Sequence, residues 1–153
     1  MYIITLLIID QVAKWLSKSY LQPSSIYRVI NGLLSFTYVE NRGAAFGMMK
    51  GWKYALIGVT LVTISILTYY YFKKVRKGPS KLLKASFNLI IPGALGNLID
   101  RIFRGYVIDF IQLDFIDFPV FNVADICICV GVGLLFIYLL FIYKEPETEE
   151  KKK

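Results

Sequence analysis

The chain has 153 residues, of which 56% are hydrophobic and 19% charged, and its mean hydropathy is +0.55. Soluble domains are typically about a quarter charged, so this composition excludes a soluble partner-binding module and favours a single membrane domain. The sequence contains no histidine, which excludes His-based catalytic triads and zinc sites of the HExxH type. Acid–base chemistry therefore falls to Asp, Glu, Lys, Tyr or Cys.

Four apolar blocks predict four transmembrane helices, at about 1–20, 52–72, 82–104 and 121–143. The first block is interrupted by Asp10 and Lys14 and is short for a bilayer about 30 Å thick. The second is the clearest, because Trp52 and a run of tyrosines flank it as interfacial aromatic residues do.

The segment 22–51 has a different character. Pro23 and two serines end the first helix, and β-branched and aromatic residues then alternate loosely, which predicts a small sheet. The predicted fold is an all-α membrane protein, with four transmembrane helices in one domain spanning 1–153 and a small extramembrane β-cradle.

Charge placement predicts the orientation in the membrane. Six of the eighteen basic residues lie between Lys73 and Lys84, a stretch without acidic residues. Short basic loops mark the cytoplasmic side, and this placement also argues against a nucleic-acid partner for the net charge of +7. Both termini are then cytoplasmic, segments 22–51 and 105–119 lie on the outer face, and 144–153 forms a solvated tail.

Four acidic residues lie at or near membrane depth, where a charge costs about 2.5–3.5 kcal/mol on insertion scales. They are Asp10, Asp100, Asp109 and Asp125. Asp109 follows the outer end of the third helix, and Asp125 lies about 6 Å into the fourth. Two adjacent carboxylates share a proton and can activate water, as in aspartic proteases. Spacing alone leaves a proton-coupled carrier or a scaffold open, since such proteins also keep intramembrane carboxylates.

Asp10 and Asp100 can also be explained by structural roles. Asp10 and Lys14 are spaced i,i+4 and can neutralise each other on one helix face. Asp100 precedes Arg101, and an ion pair between them would anchor the end of the third helix. We therefore assign Asp100 a structural role.

Five motifs occur in a fixed order along the chain. They are Asp10-Gln11 with Lys14, then Glu40–Phe46, Gly93–Arg101, Val107–Ile111 and Phe121–Asp125. Together they resemble lipoprotein signal peptidase, or signal peptidase II, a bacterial membrane family. The resemblance extends from the first helix to the last.

The resemblance implies a membrane aspartyl endopeptidase without metal or cofactor. It would cleave the signal peptide from prolipoproteins just before a cysteine that carries a diacylglyceryl group, with Asp109 and Asp125 as the catalytic pair. The implied partners are the lipidated prolipoprotein, membrane lipids and inhibitors of the globomycin type. The implied location is the bacterial plasma (inner) membrane, with the site near the outer face, and we expect a monomer.

The family pattern also implies roles for residues around the pair. Asn97 and Asn122 match amides that orient the carboxylates, while Asn41 and Arg101 match residues that contact substrate or globomycin. Asp10 and Lys14 match a supporting pair, and Gly43 and Gly47 would allow close backbone approach or movement. Pro92 replaces a glycine of the family and is expected to bend the third helix.

Overall fold

The computed structural model describes residues 2–21, 25–43 and 52–143. The fold is mostly helical with a small antiparallel sheet, as predicted. Its elements are α1 (Tyr2–Tyr20), β1 (Tyr27–Ile30), β2 (Leu34–Asn41), α2 (Lys53–Tyr70), α3 (Lys81–Phe103), β3 (Val107–Leu113) and α4 (Val123–Phe141). A π-helical turn, Tyr71–Val75, continues α2. The predictions for 22–24, for 44–51 with Gly47, and for the tail 144–153 lie outside the described residues.

Three helices of the described chain are long and apolar enough to cross a membrane. They are Lys53–Val75, Lys81–Phe103 and Val123–Phe141. The helix α1 does not meet this measure, because Asp10, Lys14 and Lys18 interrupt its apolar run. Large apolar side chains on the outer surfaces of α2 and α4, such as Val59 and Leu140, are exposed. A chain with such surfaces is stable where lipid covers them.

The central helix is α3, which packs against α1, α2 and α4. One end of the core is a cluster of Val75, Phe87 and Ile91. The ring of Phe87 stacks on Tyr70 and Tyr71, with centroids 5.9 and 6.1 Å apart. The basic loop that follows α2 is thereby held against the start of α3.

Two glycines of α3, Gly93 and Gly96, bring this helix close to α4 and α1. A Cβ atom on Gly93 would lie 2.6 Å from the carbonyl oxygen of Ala124, and one on Gly96 would lie 2.5 Å from Asp10 Oδ2. Real Cβ atoms do not approach other atoms so closely, so a larger residue would force the backbone of α4 to shift at Gly93 and the buried Asp10 carboxylate to shift at Gly96. Pro92 is buried within α3, which is assigned as helix from Lys81 to Phe103.

The sheet has the order β1-β2-β3, with both pairs antiparallel. A turn containing Gly32, at φ +72°, joins β1 to β2. The strand β3 was not predicted, since 105–119 was assigned only as an outer segment. It pairs with β2 so that Asn41 is opposite Val107 and Val39 is opposite Asp109.

A short connection leads from α3 to β3. The helix ends at Phe103, and Gly105 at φ +85° turns the chain in the left-handed conformation that glycine adopts without strain. Val107 then begins β3. Further along, Phe121 forms an isolated bridge with Ile111, which brings the start of α4 beside the strand that carries Asp109.

Candidate active site

Asp109 is the third residue of β3 and is 2% exposed. Both of its carboxylate oxygens accept hydrogen bonds from side-chain amides. Asn41 Nδ2 donates to Oδ2 at 2.9 Å, and Asn122 Nδ2 donates to Oδ1 at 2.6 Å. The sheet supplies the first donor because Asn41 ends β2 beside the start of β3, and the link between Phe121 and Ile111 supplies the second.

Asp125 is held at the amino end of α4 by a reciprocal cap. Asn122 is the N-cap residue, and its side-chain oxygen accepts from the Asp125 N–H at 3.0 Å. In return, the N–H of Asn122 donates to Asp125 Oδ2 at 3.1 Å. The cap fixes one carboxylate oxygen of Asp125 and satisfies backbone N–H groups that have no helical partner.

Two asparagine amides connect the carboxyl groups. Asn97 Nδ2 donates to Asp125 Oδ1 at 2.7 Å, while Asn122 Nδ2 lies 2.6 Å from Asp109 Oδ1 and 3.2 Å from Asn97 Oδ1. Each aspartate therefore receives an amide hydrogen from one member of a bonded Asn97–Asn122 pair. Such donors stabilise the ionised carboxylate and fix its orientation.

Burial is the main reason that the pKa of the Asp109 carboxyl rises from its ordinary 3.8 to about 6. The hydrogen bond from Asn41 lowers this pKa, and the negative charge of Asp125 raises it. The interaction between the two acids couples their protonation, so they titrate as a pair.

Beneath the pair lies a buried ionic cluster centred on Lys14, whose side chain is fully buried. Its ammonium lies 2.9 Å from Asp10 Oδ2 and 3.0 Å from Asp100 Oδ2, and it donates to Asn97 Oδ1 at 2.9 Å. The i,i+4 pairing of Asp10 with Lys14 is thus present. Lys14 donates to the side-chain oxygen of Asn97. The side-chain nitrogen of Asn97 is therefore the atom directed at Asp125.

The cluster also joins the helices. Asp10 Oδ1 accepts from the Ala124 N–H at 3.0 Å, and Asp100 Oδ2 accepts from the Ile108 N–H at 3.2 Å. Asp10 therefore ties α1 to the first turn of α4, and Asp100 ties α3 to β3. A structural role for Asp100 stays a prediction, and it would act through these contacts.

The partner predicted for Asp100 was wrong. Asp100 pairs with Lys14 and with Arg104, one helical turn further on. Adjacent helical residues point in different directions, whereas i,i+4 residues share a face. Arg101 instead donates from Nη2 to the carbonyl oxygen of Gly43 at 3.1 Å, and it lies in the electrostatic field of Asp125 and Asp109.

Gly43 and Asn41 form a small loop beside Asp109. The Gly43 N–H donates to Asn41 Oδ1 at 3.0 Å, which leaves the amide nitrogen of Asn41 directed at Asp109. The contact between Arg101 and Gly43 joins this loop to α3. The structure thus brings together the predicted site residues that lie in its described part, either at the carboxyl pair or in the cluster beneath it.

Sequence reasoning gave no role to two residues of this network. Arg104 pairs with Asp100, and it also donates to Gln11 Oε1 at 3.2 Å. Gln11 Nε2 lies 3.3 Å from the carbonyl oxygen of Gly96. The i,i+4 spacing of Asp100 and Arg104 was a usable signal, whereas the contacts of Gln11 depend on packing between helices.

Asp109 and Asp125 line one cavity of about 510 Å³. Its polar wall includes Asn41, Asn97 and Arg101, and its other walls are mainly apolar. The apolar walls come from 118–121 and from the α4 face that carries Ile126, Ile128, Cys129 and Val130. Ile126 and Val130 are exposed on the outside of the helix bundle, so the cavity continues onto a surface of the kind that faces lipid.

The site residues offer oxygen and nitrogen groups of Asp, Asn, Lys and Arg. Within residues 2–21, 25–43 and 52–143, no group of three or more His, Cys, Asp or Glu side chains is arranged to hold a metal ion. The chemistry that these side chains supply themselves is proton transfer between carboxyl groups and hydrogen bonding from amides.

Comparison with known proteins assigns the chain to a family. The sequence profile described as Signal peptidase (SPase) II matches residues 2–141. The lipoprotein signal peptidase of Halothermothrix orenii is 46% identical over 140 residues, which are 90% of this chain and 93% of that protein. The lipoprotein signal peptidase of Clostridium tetani is 44% identical over 149 residues, or 95% of this chain and 92% of that protein.

Solved structures agree with this assignment. Two structures described as bacterial membrane enzymes superpose with TM-scores of 0.87 and 0.84, each at 32% identity. The first covers 97% of this chain and 92% of its own, and the second 93% and 92%. The chain is a multi-pass membrane protein that belongs to the signal peptidase II family, whose members are proteases that process lipoprotein precursors.

Proposed function

We propose that the chain is an aspartyl endopeptidase in which Asp109 and Asp125 activate one water molecule. The observation that carries this proposal is the pair of carboxyl groups in one cavity, each held by a member of the bonded Asn97–Asn122 pair. Similarity to lipoprotein signal peptidases supports the same assignment.

The proposed reaction needs one ionised and one protonated carboxyl group. The ionised aspartate removes a proton from water as the water oxygen attacks the peptide carbonyl carbon, and the protonated aspartate donates its proton to the carbonyl oxygen. The tetrahedral intermediate then collapses. The C–N bond breaks, the amine nitrogen takes the proton removed from water, and the hydroxyl proton of the intermediate returns to the carboxyl pair.

The charges around the pair favour a single retained proton. Four aspartates and three basic side chains form the connected region, so one proton on the acids makes the region neutral. Those residues are Asp10, Asp100, Asp109 and Asp125 with Lys14, Arg101 and Arg104. Neutrality matters because an uncompensated charge at this depth is costly.

The proposed substrate is a prolipoprotein whose cysteine already carries a diacylglyceryl group, with cleavage just before that cysteine. The apolar wall on α4 would accommodate the hydrophobic signal peptide and the acyl chains. The polar wall, with Asn41 and Arg101, would position the backbone of the scissile segment. Peptide inhibitors of the globomycin type would occupy the same cavity.

We also propose that α1 is a fourth transmembrane helix. It lies alongside α3, and its charged residues Asp10 and Lys14 face inward, buried in the ionic cluster. Its outward side chains are apolar and include Ile4, Ile8 and Val12. The polar groups that lower its mean hydropathy would therefore not meet lipid.

The basic loop between α2 and α3 favours an orientation with both termini in the cytoplasm. Asp109 and Asp125, at the opposite end of α3, would then lie near the outer face of the bacterial plasma membrane. The protein would act as a monomer without a cofactor.

A proton-coupled carrier is the alternative of a different class. A carrier needs polar groups along a path through the membrane. In this chain the paired acids and their donors lie at one end of α3, while the buried core at the other end is formed by Val75, Phe87 and Ile91. This distribution favours the peptidase over the carrier.

Cleavage of a diacylglyceryl-modified substrate tests the proposal. We expect Asp109→Asn and Asp125→Asn each to lower kcat by about 10³-fold or more while the proteins still insert, since each removes one member of the acid pair. Asp114→Asn is the matched control, because Asp114 is an exposed acid just beyond β3 that accepts from Ser35 Oγ at 2.6 Å. Wild-type turnover by a purified Asp109→Asn or Asp125→Asn protein would reject the pair. Globomycin should block the wild type.

A further inference from the structure

Four polar side chains form a cluster where β2 ends beside the start of β3. We call it the outer cluster, and it contains Tyr38, Glu40, Arg42 and Tyr106. Arg42 Nη2 lies 2.7 Å from Glu40 Oε2, and the guanidinium carbon of Arg42 lies 5.4 Å from the centre of the Tyr106 ring. The Tyr38 hydroxyl lies 3.4 Å from both Glu40 Oε1 and the Tyr106 hydroxyl. The outer cluster thus joins the end of β2 to the connection between α3 and β3.

The register of the sheet explains why these side chains meet. Asn41, the last residue of β2, is opposite Val107, the first residue of β3. Continuing this register by one residue places Arg42 opposite Tyr106. Side chains alternate between the two faces of a strand, and opposite residues share a face. Glu40, Arg42 and Tyr106 therefore lie on one face of the sheet. The side chain of Asn41 lies on the opposite face.

Asn41 is the residue through which the outer cluster reaches the acid pair. Its side-chain nitrogen donates to Asp109 Oδ2 at 2.9 Å, and its side-chain oxygen accepts from the Gly43 N–H at 3.0 Å. The last residues of a strand open most readily, because fewer contacts hold them. Arg42 directly follows Asn41, so its contact with Tyr106 holds this end of β2 against the start of β3.

The contacts of Arg42 are individually weak, because water reaches them. The Arg42 side chain is 66% exposed and the Glu40 side chain is 30% exposed. Exposed ion pairs and exposed cation–π contacts each contribute little alone. Acting together on one short segment, they shift the balance between a closed and an open strand end by about tenfold. This is enough to set how often Asn41 is in place, and it is small beside the stability of a folded domain.

We propose that Arg42 and Tyr106 are positioning residues of the proposed peptidase, which act by holding the Asn41 amide in place. This inference rests on the proposed function of the acid pair. The outer cluster closes the end of β2 from the face of the sheet that is turned away from the pair. When this end opens, Asp109 loses the amide donor to its Oδ2 atom, and its carboxyl group is held less firmly in one orientation.

Two substitutions of Tyr106 test the proposal without changing a charge. Tyr106→Leu removes the aromatic face that contacts the guanidinium, whereas Tyr106→Phe keeps it. We expect Tyr106→Leu to lower kcat for a diacylglyceryl-modified prolipoprotein by about three- to tenfold. The pH profile of kcat should shift to higher pH, because the hydrogen bond from Asn41 lowers the pKa of Asp109. Tyr106→Phe should stay near the wild type. A Tyr106→Leu profile that coincides with that of the wild type would overturn the proposal.

Charged side chains on three helices act on Asp109, and all of them stay in place in the Tyr106 variants. They include Asp125 on α4, Lys14 on α1 and Arg101 on α3. A shift in the pH profile of Tyr106→Leu therefore reports the position of Asn41 and not a lost charge.

Substitutions of Arg42 test the other half of the contact. Arg42→Gln removes the cation and should act like Tyr106→Leu, and Arg42→Lys should recover much of the loss by keeping a cation beside the ring. Arg28→Gln is the matched control, since Arg28 is an exposed arginine on β1 that lies opposite Ser35, at the far end of β2 from Asn41. It removes the same charge and should leave kcat and its pH profile unchanged. Equal shifts in Arg28→Gln and Arg42→Gln would reduce the effect to net charge and overturn the proposal.

A double-variant cycle tests whether the outer cluster acts through Asn41. In an Asn41→Ala background, Tyr106→Leu should change neither kcat nor the pH profile any further, because the donor that it positions is already absent. A further loss as large as that in the wild-type background would assign Tyr106 a general structural role and overturn the proposal.

Hydrogen exchange of the backbone amides in 38–43 gives a readout that does not depend on cleavage. Tyr106→Leu should speed exchange in this segment by about threefold or more, and Arg28→Gln should not. Unchanged exchange in Tyr106→Leu would overturn the positioning contact, whatever the cleavage rates are. Absence of cleavage by a wild type with the expected exchange would reject the proposed function and leave the outer cluster as a structural contact only.

Discussion

Asn122 and Asp125 cap each other: the side chain of each accepts a hydrogen bond from the backbone N–H of the other, at 3.0 and 3.1 Å. The same two side chains also reach the candidate acid pair, since Asn122 donates to Asp109 and Asp125 is one of the two acids. The amino end of α4 therefore supplies helix capping and the proposed chemistry from one set of atoms. The two contributions can be separated by choosing substitutions that keep one and remove the other.

Asp125→Asn should keep the fold and lose activity. The asparagine retains an oxygen that can accept from the Asn122 N–H, so we expect the melting temperature to stay near that of the wild type while cleavage is lost. Asp125→Ala also removes the acceptor for the Asn122 N–H, which is one half of the reciprocal cap, and should lower stability by about 1 kcal/mol. Thermal unfolding in detergent, measured beside peptide cleavage, distinguishes the two. Equal stability of Asp125→Asn and Asp125→Ala would show that the hydrogen bond from the Asn122 N–H to residue 125 contributes nothing.

Asn122→Ser tests the amide donor rather than the cap. Serine is also a good N-cap residue, so stability should change little, but the donor to Asp109 Oδ1 is lost. Loss of that hydrogen bond raises the pKa of Asp109 further. We expect kcat to fall by about 10–100-fold. We also expect the pH profile of kcat to shift to higher pH. A fall in kcat with an unmoved pH profile would argue against a role through Asp109.

The raised pKa of Asp109 predicts a pH-dependent stability. Its pKa of about 6 in the folded protein exceeds its ordinary 3.8, so its contribution is fully present below about pH 4 and is lost as the pH rises through about 6. The difference between these two pKa values corresponds to about 3 kcal/mol of unfolding free energy at most. Unfolding of the wild type in one detergent should show this decline, and Asp109→Asn should show a smaller one. Asp114→Asn should follow the wild type; parallel curves for Asp109→Asn and the wild type would contradict the assignment.

Periodicity and motif order were sufficient to predict the helices and to name residues that the fold brings together at the candidate site. Helices such as α2 are defined by local apolar runs, and the Asp-containing motifs lie where those runs end, so Asp109 and Asp125 could be assigned to neighbouring chain ends. The i,i+4 pairing of Asp10 with Lys14 was predictable for the same reason, because it depends only on helix geometry.

Contacts between distant segments were not predictable from these patterns. The strand β3 forms because it pairs with β2, more than sixty residues earlier in the chain, and its own seven residues give little periodic signal. Likewise, Asp100 was paired with its sequence neighbour, whereas packing of α1 on α3 delivers Lys14 to it. The triple role of Lys14, on two acids and on Asn97, exists only once α1 packs against α3.

Lys14→Met should be among the most destabilising single changes in the chain. It leaves Asp10 and Asp100 buried beside each other with their shared cation removed, a loss of about 3–5 kcal/mol. Adding Asp10→Asn to Lys14→Met should recover part of that loss, because one uncompensated charge is then removed. Lys18→Met is the control, since Lys18 is exposed one turn further along α1. A Lys14→Met protein that unfolds at the same temperature as Lys18→Met would contradict a structural role for the buried ammonium.

The close approach of α3 and α4 predicts that Gly93→Ala impairs both folding and activity. The added methyl carbon would lie 2.6 Å from the carbonyl oxygen of Ala124 and 2.9 Å from the Ile128 side chain. The helices must separate to admit it, at a cost of about 1–3 kcal/mol. Asn97 on α3 would then move away from Asp125 on α4, so its 2.7 Å hydrogen bond lengthens and kcat falls.

Gly133→Ala is the matched control, because a Cβ there meets nothing within 4 Å. The higher helix propensity of alanine should leave the stability of this variant equal or slightly raised. Melting temperatures and cleavage rates of the two variants decide the matter: if Gly93→Ala behaves like Gly133→Ala, the spacing of α3 and α4 does not set the geometry of the acid pair.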